Sequence, residues 1–219
     1  MIVQFPAHAR VGKIVAKENF YGNIDNSTKN LFQDEIARII WEYKLAPETI
    51  NLSAKNWQEI EVFIIMLKNS SISEKILKTI DSVIPYPILF LVESGSLEKA
   101  IICFKEQNQK DENFAKVDTY FATEWNDKRL ENIKIDGLNI DAVFNNFVRQ
   151  VAGNKLSRDA EKSSQSPSSI KEDIEKLKER EKIQKQIDVL TRRIKLEPSI
   201  GKKQELAEER FRLKQLILN

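Results

Sequence analysis

One cysteine, one histidine, six glycines and six prolines are spread over 219 residues, and each scarcity removes a class of function. A single thiol, Cys103, closes no intramolecular disulfide, which fits a reducing cytoplasm. One His and one Cys do not supply the four ligands of a structural zinc site. His8 sits in a polar N-terminal stretch with no Ser or Cys nucleophile beside it in sequence, so a His-dependent triad lacks its parts. Cys103, inside Ile101-Ile102-Cys103-Phe104, reads as a buried structural residue and not as an accessible thiolate. Gly95 is isolated, and Gly12-Lys13 lacks both the upstream glycine and the following Ser or Thr of a phosphate-binding loop. The longest near-apolar runs, 62–67 and 84–92, are far short of the ~20 residues that span a bilayer. The N-terminus, MIVQFPAHARVGK, has no basic segment followed by a long apolar one, so no signal peptide is read. These absences lead us to expect a cytoplasmic protein with no cofactor, no metal and no membrane partner.

Charge is plentiful and uneven. The chain is 41% hydrophobic and 31% charged, with a net charge of +2. From Lys155 onward there are 17 Lys and Arg against 12 Asp and Glu. Acidic residues interrupt the basic ones throughout, so this is weak ground for a nucleic-acid surface.

Periodicity suggests a mixed α/β body over residues 1–154. Residues 13–17 form a plausible strand and 22–27 a turn. A helix is read over 28–43, because Phe32, Ile36, Ile39, Ile40 and Tyr43 recur at three- and four-residue steps, with Ser27 or Thr28 as cap. Residues 59–68 are apolar at both parities, as in a central strand covered on both faces. Ser71 and Glu74 stand at capping-box spacing before a helix carrying Ile72, Ile76, Ile80 and Val83. Residues 88–92 and 99–105 read as strands joined through Ser94-Gly95-Ser96, and 117–123 as another. Asn139 caps a last helix with Ile140, Val143, Phe144, Phe147, Val148 and Val151 on one face, ending at Gly153. The fold class is therefore α+β, a mixed sheet of four to five strands with flanking helices.

Residues 155–169 contain a Ser-rich linker, and residues 170–219 form a charged amphipathic arm. Its apolar positions are Ile170, Ile174, Leu177, Ile183, Ile187, Leu190 and Ile194, then Leu206, Leu213 and Leu216. The 13-residue step from Ile174 to Ile187 is read as keeping both groups on one stripe of a straight helix. Pro198-Ser199-Ile200-Gly201 interrupts, so the arm is an αα-hairpin, a short coiled coil or a kinked helix. An apolar stripe on so charged a helix asks to be covered, by the arm's own second half, by another copy or by another protein. Lys176, Lys178, Arg180, Arg192, Arg193, Lys202 and Lys203 are the candidate nucleic-acid contacts of a direct binding module.

No catalytic constellation is evident. A metal-dependent nuclease needs carboxylates and a lysine arranged around Mg²⁺. Glu59, Glu61, Glu93 and Glu98 are the candidates, with Lys99, Lys105 and Glu106 nearby, but no Glu-x-Lys lies on a strand. Glu59 and Glu61 are read as marking an exposed strand end. Trp41 is assigned to the core. Trp57 and Trp125 fall at strand boundaries, and Tyr120, Phe121 and Trp125 are the aromatics that could stack on bases if exposed.

Several segments then fall into a familiar order. They are Ile40-Trp41-Glu42-Tyr43-Lys44-Leu45, Thr49-Ile50-Asn51-Leu52, Glu59-Ile60-Glu61-Val62-Phe63, Ile84-Pro85-Tyr86-Pro87-Ile88-Leu89-Phe90, Glu124-Trp125 and Gly137-Leu138-Asn139-Ile140-Asp141. With the charged tail, the chain resembles the bacterial family called domain of unknown function 4391. The resemblance covers most of the chain; the Ser-rich linker and Pro198 to Gly201 look like local variations. It implies genes lying beside DNA methyltransferases and helicases in restriction-modification or phage-defence clusters. It therefore implies an accessory subunit that docks such a partner or another copy of itself, and it supplies no catalytic residue.

Overall fold

A strand that is apolar at both parities needs cover on both faces, and β-branched side chains favour it over a helix. Residues 60–67 behave accordingly. A computed structural model describes residues 5–22, 24–107, 115–126, 133–157 and 169–218, and in it the chain divides into two compact units, Met1–Gly153 and Asn154–Asn219. The first unit runs β1 (Arg10–Val15), α1 (Asn26–Glu35), β2 (Ile36–Leu45), α2 (Pro47–Ile50), β3 (Ile60–Leu67), α3 (Glu74–Val83), β4 (Ile88–Ser94), β5 (Leu97–Gln107), β6 (Ala115–Ala122) and α4 (Ile140–Ala152). Its six strands stand in sequence order across one sheet, with β1 and β6 as edges. Every neighbouring pair is antiparallel except β3 and β4. That pair is parallel because α3 carries the chain back between them, as a parallel connection requires.

The α+β reading holds, with six strands where four to five were expected. The extra strand is β2. Residues 36–43 are not helix: α1 stops at Glu35, and the Ile-rich stretch pairs with both β1 and β3. The cause of the misreading is a bulge. Ile36 sits opposite Leu67 and Arg38 opposite Met66, so one extra residue lies between Ile36 and Ile39. Both therefore point to the same buried face at a three-residue spacing. A bulged strand thus imitates the i, i+3 signature of a helix. The cap of α1 is Asp25, not Ser27 or Thr28; its carboxylate accepts from the Thr28 N–H and hydroxyl and from the Ser27 hydroxyl. Those donors, with the Lys75 ammonium at 3.0 Å, hold the carboxyl far below its usual range. Helix α3 is capped at Ser73, not Ser71, and its first turn is tied to α1 through the Glu35 carboxylate, which accepts from the Ser73 N–H and hydroxyl.

The two faces of the sheet have separate cores. On one, Phe63 and Ile65 of β3, Phe90 and Val92 of β4 and Ile101 of β5 pack with Ile76, Leu77 and Ile80 of α3 and with Phe20 and Phe32. On the other, α4 brings Phe144 parallel to Phe104 of β5 and edge-on to Trp57. Asn139 caps α4 as expected, accepting from the Ala142 N–H. Asp141, in the first turn of α4, accepts from the backbone N–H groups of Lys55 and Asn56. Gly137 holds φ +151, and a Cβ there would meet the Val143 nitrogen at 2.7 Å. The segment Gly137 to Asp141 is thus a helix start and its anchor.

The second unit consists of α5 (Asn154–Ser157), α6 (Ile170–Leu196) and α7 (Ile200–Leu218). Ser169 caps α6 by accepting from the Glu172 N–H, while the rest of the Ser-rich stretch lies outside the described residues. Pro198 falls in the break between α6 and α7, and the two helices pack as a hairpin. The single-stripe reading of α6 is corrected. Thirteen residues at about 100° each leave a remainder of about 220°, so Ile174 and Ile187 face different sides. Both are buried, as are Ile170 and Leu190. Among the described residues, no helix is long and apolar enough to cross a membrane.

Candidate functional site: a carboxyl pair at the floor of a cleft

Glu59 and Glu61 are two residues apart at the start of β3, so they share the α3 face of the sheet. They do not mark an exposed end. Glu61 is 5% exposed and the Glu59 side chain 15% exposed. The bulge in β2 between Trp41 and Tyr43 puts Trp41 and Lys44 on that same face. The Trp41 indole N–H donates to Glu61, Lys44 pairs with Glu59, and Glu48 from α2 stands behind Lys44 at 3.9 Å. The two carboxyls stand close enough to share a proton through a hydrogen bond. Burial, followed by that hydrogen bond and the negative charge of Glu59, pushes Glu61 up to about 8. Near neutral pH Glu61 is therefore mostly protonated, acting as donor to one carboxylate and acceptor from one indole.

Above the pair opens a cleft of about 360 Å³. Its walls are Ile14 and Val15 of β1, Phe20, Trp41, Phe63, and Val83 to Tyr86 at the end of α3, with Lys13 and Asn19 adding polar groups. Two of the wall side chains stand open to water at the rim, Ile14 at 62% and Val83 at 51% exposure.

The far wall is fixed by a buried ion pair. Lys105 of β5 and Asp81 of α3 lie 2.9 Å apart with side chains wholly inaccessible. The Lys105 ammonium also donates to the backbone carbonyls of Asp81 at 3.1 Å and of Ile84 and Tyr86 at 2.7 Å each, so it ties down carbonyls that the end of α3 leaves without helical partners and one from the loop that follows. The Tyr120 hydroxyl donates to the other Asp81 oxygen. Burial pushes Asp81 up and Lys105 down from their ordinary values, and burial together with Asp81 pushes Tyr120 up. The network holds the Ile84 to Pro87 loop in place. Sequence reading treated Lys105 only as a residue beside the hairpin. Its position two residues after Cys103, on the parity that faces α3, was the available signal.

The remaining candidates are scattered. Glu93 and Glu98 are register partners at the far end of β4 and β5. Met66 pairs with Glu93 while Glu61 pairs with Ile88, so Glu93 lies on the opposite face from Glu61 and at the opposite end. The four carboxylates thus form two separate pairs. Among the described residues, no three His, Cys, Asp or Glu side chains gather as a metal site would need. Cys103 is buried, and its thiol is pushed up to about 12 by burial and by Asp81. His8 is exposed. Trp57 packs against α4, and Trp125 lies under the Lys99 ammonium at 4.7 Å. Tyr120 is occupied with Asp81, and Phe121 is buried.

In the arm, Ile170, Ile174, Ile187 and Leu190 are buried, while Leu177, Ile183, Ile194, Leu206 and Leu213 are partly buried. Of the ten stripe residues only Leu216 is exposed, at 64%. The other open apolar side chains are ones the stripe did not include. Leu196 and Ile200 flank the Pro198 break at 83% exposure each, Val189 is 53% exposed and Phe211 62%. Lys176, Lys178, Arg192, Arg193 and Lys202 are exposed, and Arg180 and Lys203 half-buried.

Compared with family models, residues 3–216 match the one described as Domain of unknown function (DUF4391). No curated protein and no solved structure matches the chain.

Proposed function

The chain belongs to the DUF4391 family, and from that premise we propose that it is a non-enzymatic, cytoplasmic accessory subunit that docks a DNA methyltransferase or helicase subunit of a restriction-modification or phage-defence complex. The observation that supports this reading is the set of large apolar side chains left open on the helical hairpin. Val189 and Leu196 are seven residues apart on α6, and Ile200 and Phe211 eleven apart on α7. Each spacing returns to nearly the same helix face. Each helix therefore carries an apolar ridge that starts at the hairpin tip. Burying one such side chain is worth roughly 1.5–3 kcal/mol, so four of them supply the anchors of an interface. The separation of Glu59 and Glu61 from Glu93 and Glu98 gives the nuclease reading no assembled site to rest on.

The test keeps the chain whole. Leu196→Glu and Phe211→Glu alter exposed positions, where substitutions are expected to change stability little. Wild type and each variant are co-expressed with the products of the flanking genes, where a methyltransferase or helicase subunit is expected, and association is measured. The expected result is a wild-type complex that either substitution weakens by roughly 30-fold or more. Wild-type protein that binds neither subunit, variants that bind as wild type, or a stable homodimer that these substitutions dissolve would each overturn the reading.

A further inference from the structure

We propose that the cleft over Glu59 and Glu61 is a binding site for a small organic cation, a primary ammonium carried on an aromatic or branched apolar body. This inference stands apart from the arm and does not rest on the docking reading.

The first argument is charge. The floor holds two carboxyls, Glu59 and Glu61, and one ammonium, Lys44, which is already paired with Glu59. It is one positive charge short of balance with both carboxyls ionised, and a shared proton now makes up the difference. A ligand ammonium can take that proton's place. The protonated pair then becomes two carboxylates around Lys44 and the ligand, and one proton leaves to solvent. The other titratable groups facing the floor are Lys13 from β1 and Tyr86 from the loop after α3, with Glu48 behind Lys44. Lys13 is exposed, so its charge is screened by water and weighs less than the buried pair.

The second argument is shape and wall chemistry. A cleft of about 360 Å³ falls at the small end of the range for small-molecule sites. The walls are carbon, with the Trp41, Phe20 and Phe63 rings available to an apolar body, and aromatic faces attract ammonium groups. A hard divalent ion is a poor match, because it takes six or more oxygens. An anion would meet a carboxyl floor. The open Ile14 and Val83 side chains at the rim are apolar surface that such a ligand would cover.

The third element is a built-in reporter. The Trp41 N–H donates to Glu61, so a change in the charge of Glu61 alters the indole's environment. The experiment titrates the full-length protein with 2-phenylethylamine, using 2-phenylethanol and phenylacetate as neutral and anionic comparators. Tryptophan fluorescence is followed, with Trp41→Phe separating its signal from those of Trp57 and Trp125. Calorimetry in two buffers of different ionisation enthalpy counts protons. The expected result is saturation by the amine at about 1 mM or below, with comparators and Glu61→Gln weaker by roughly tenfold or more. Near one proton is released at pH 6.5 and, as the free amine begins to lose its own proton, almost none net at pH 9. Equal binding of alcohol or carboxylate, binding without proton release, an unaffected Glu61→Gln variant, or no saturable binding of the amine would each overturn the assignment. Tighter binding of an Nα-acetyl-lysine amide than of the arylamine would do so too, by making a protein lysine the natural occupant.

Discussion

Replacing Glu61 by Gln should leave stability nearly unchanged in acid and raise it in alkali. The carboxyl is pushed from 4.5 to about 8 in the folded chain. A folded-state value raised above the unfolded one means that the native state binds the proton more tightly. That contribution is complete below pH 4.5 and is lost as pH rises through 8. Each pH unit in that window is worth about 1.4 kcal/mol. Because Glu59 shares the proton, the loss assignable to Glu61 is on the order of 3 kcal/mol between pH 5 and 9. Gln keeps the shape of the protonated acid, with an amide oxygen for the Trp41 N–H and an amide N–H for Glu59, but it has no proton to lose. At pH 5 the variant should match the wild type within about 0.5 kcal/mol. At pH 9 it should be the more stable, by roughly 6–12 °C in Tm at about 2–4 °C per kcal/mol. Urea or thermal melts at five pH values measure this. A difference between the two proteins that stays constant from pH 5 to pH 9 would refute the shared-proton geometry.

Three further outcomes follow from residues already placed. Lys105→Met leaves Asp81 as a buried charge without its cation and should cost about 3–5 kcal/mol, and Asp81→Leu in the same chain should recover most of it; equilibrium urea unfolding of both decides, and a single variant as stable as wild type would refute it. Gly137→Ala forces a side chain into positive φ, against the Val143 nitrogen at 2.7 Å, and should cost about 2 kcal/mol or more; an unchanged urea midpoint would count against that account. Cys103 should resist iodoacetamide in the native state and react fully in denaturant, because the thiol is buried and pushed up to about 12; stoichiometric labelling of native protein at pH 8 would contradict it.

What was legible from sequence divides along a physical line. Elements set by local rules could be read. The double-sided apolar pattern of β3, the turn at Gly95, the Asn139 cap and the Gly153 terminus all stand where sequence reading put them. Elements set by pairing could not. Residues 36–43 carry helix-like spacing only because a bulge inserts a residue, and a bulge is visible only against its partner strand. Glu59 and Glu61 were read as marking an exposed strand end, and they are instead withdrawn from solvent on one face of the sheet. Their burial was hidden, because it depends on β2 bringing Trp41 and Lys44 alongside and on α3 ending in a wall. Lys105 went unread for the same reason, since its partner Asp81 is 24 positions away.

The arm sharpens the same point. Its stripe was chosen by spacing, and nearly all of those residues are wholly or partly withdrawn from solvent. A side chain that a helical hairpin already covers has little apolar area left to offer a partner. The residues with area to offer are the ones that break the pattern, Leu196 and Ile200 on either side of Pro198 and Val189 and Phe211 along the ridges. Placing large apolar groups at a hairpin tip runs against the general rule that turns are polar, because such groups stay exposed there. That conflict with local preference is the kind that marks a functional surface. The signal lies in the sequence, in the Leu196 and Ile200 that flank Pro198. For this chain, then, regular apolar spacing reports what the protein keeps for its own fold. The docking surface proposed above is better sought in the exposed apolar residues that flank the break and continue along the ridge of each helix.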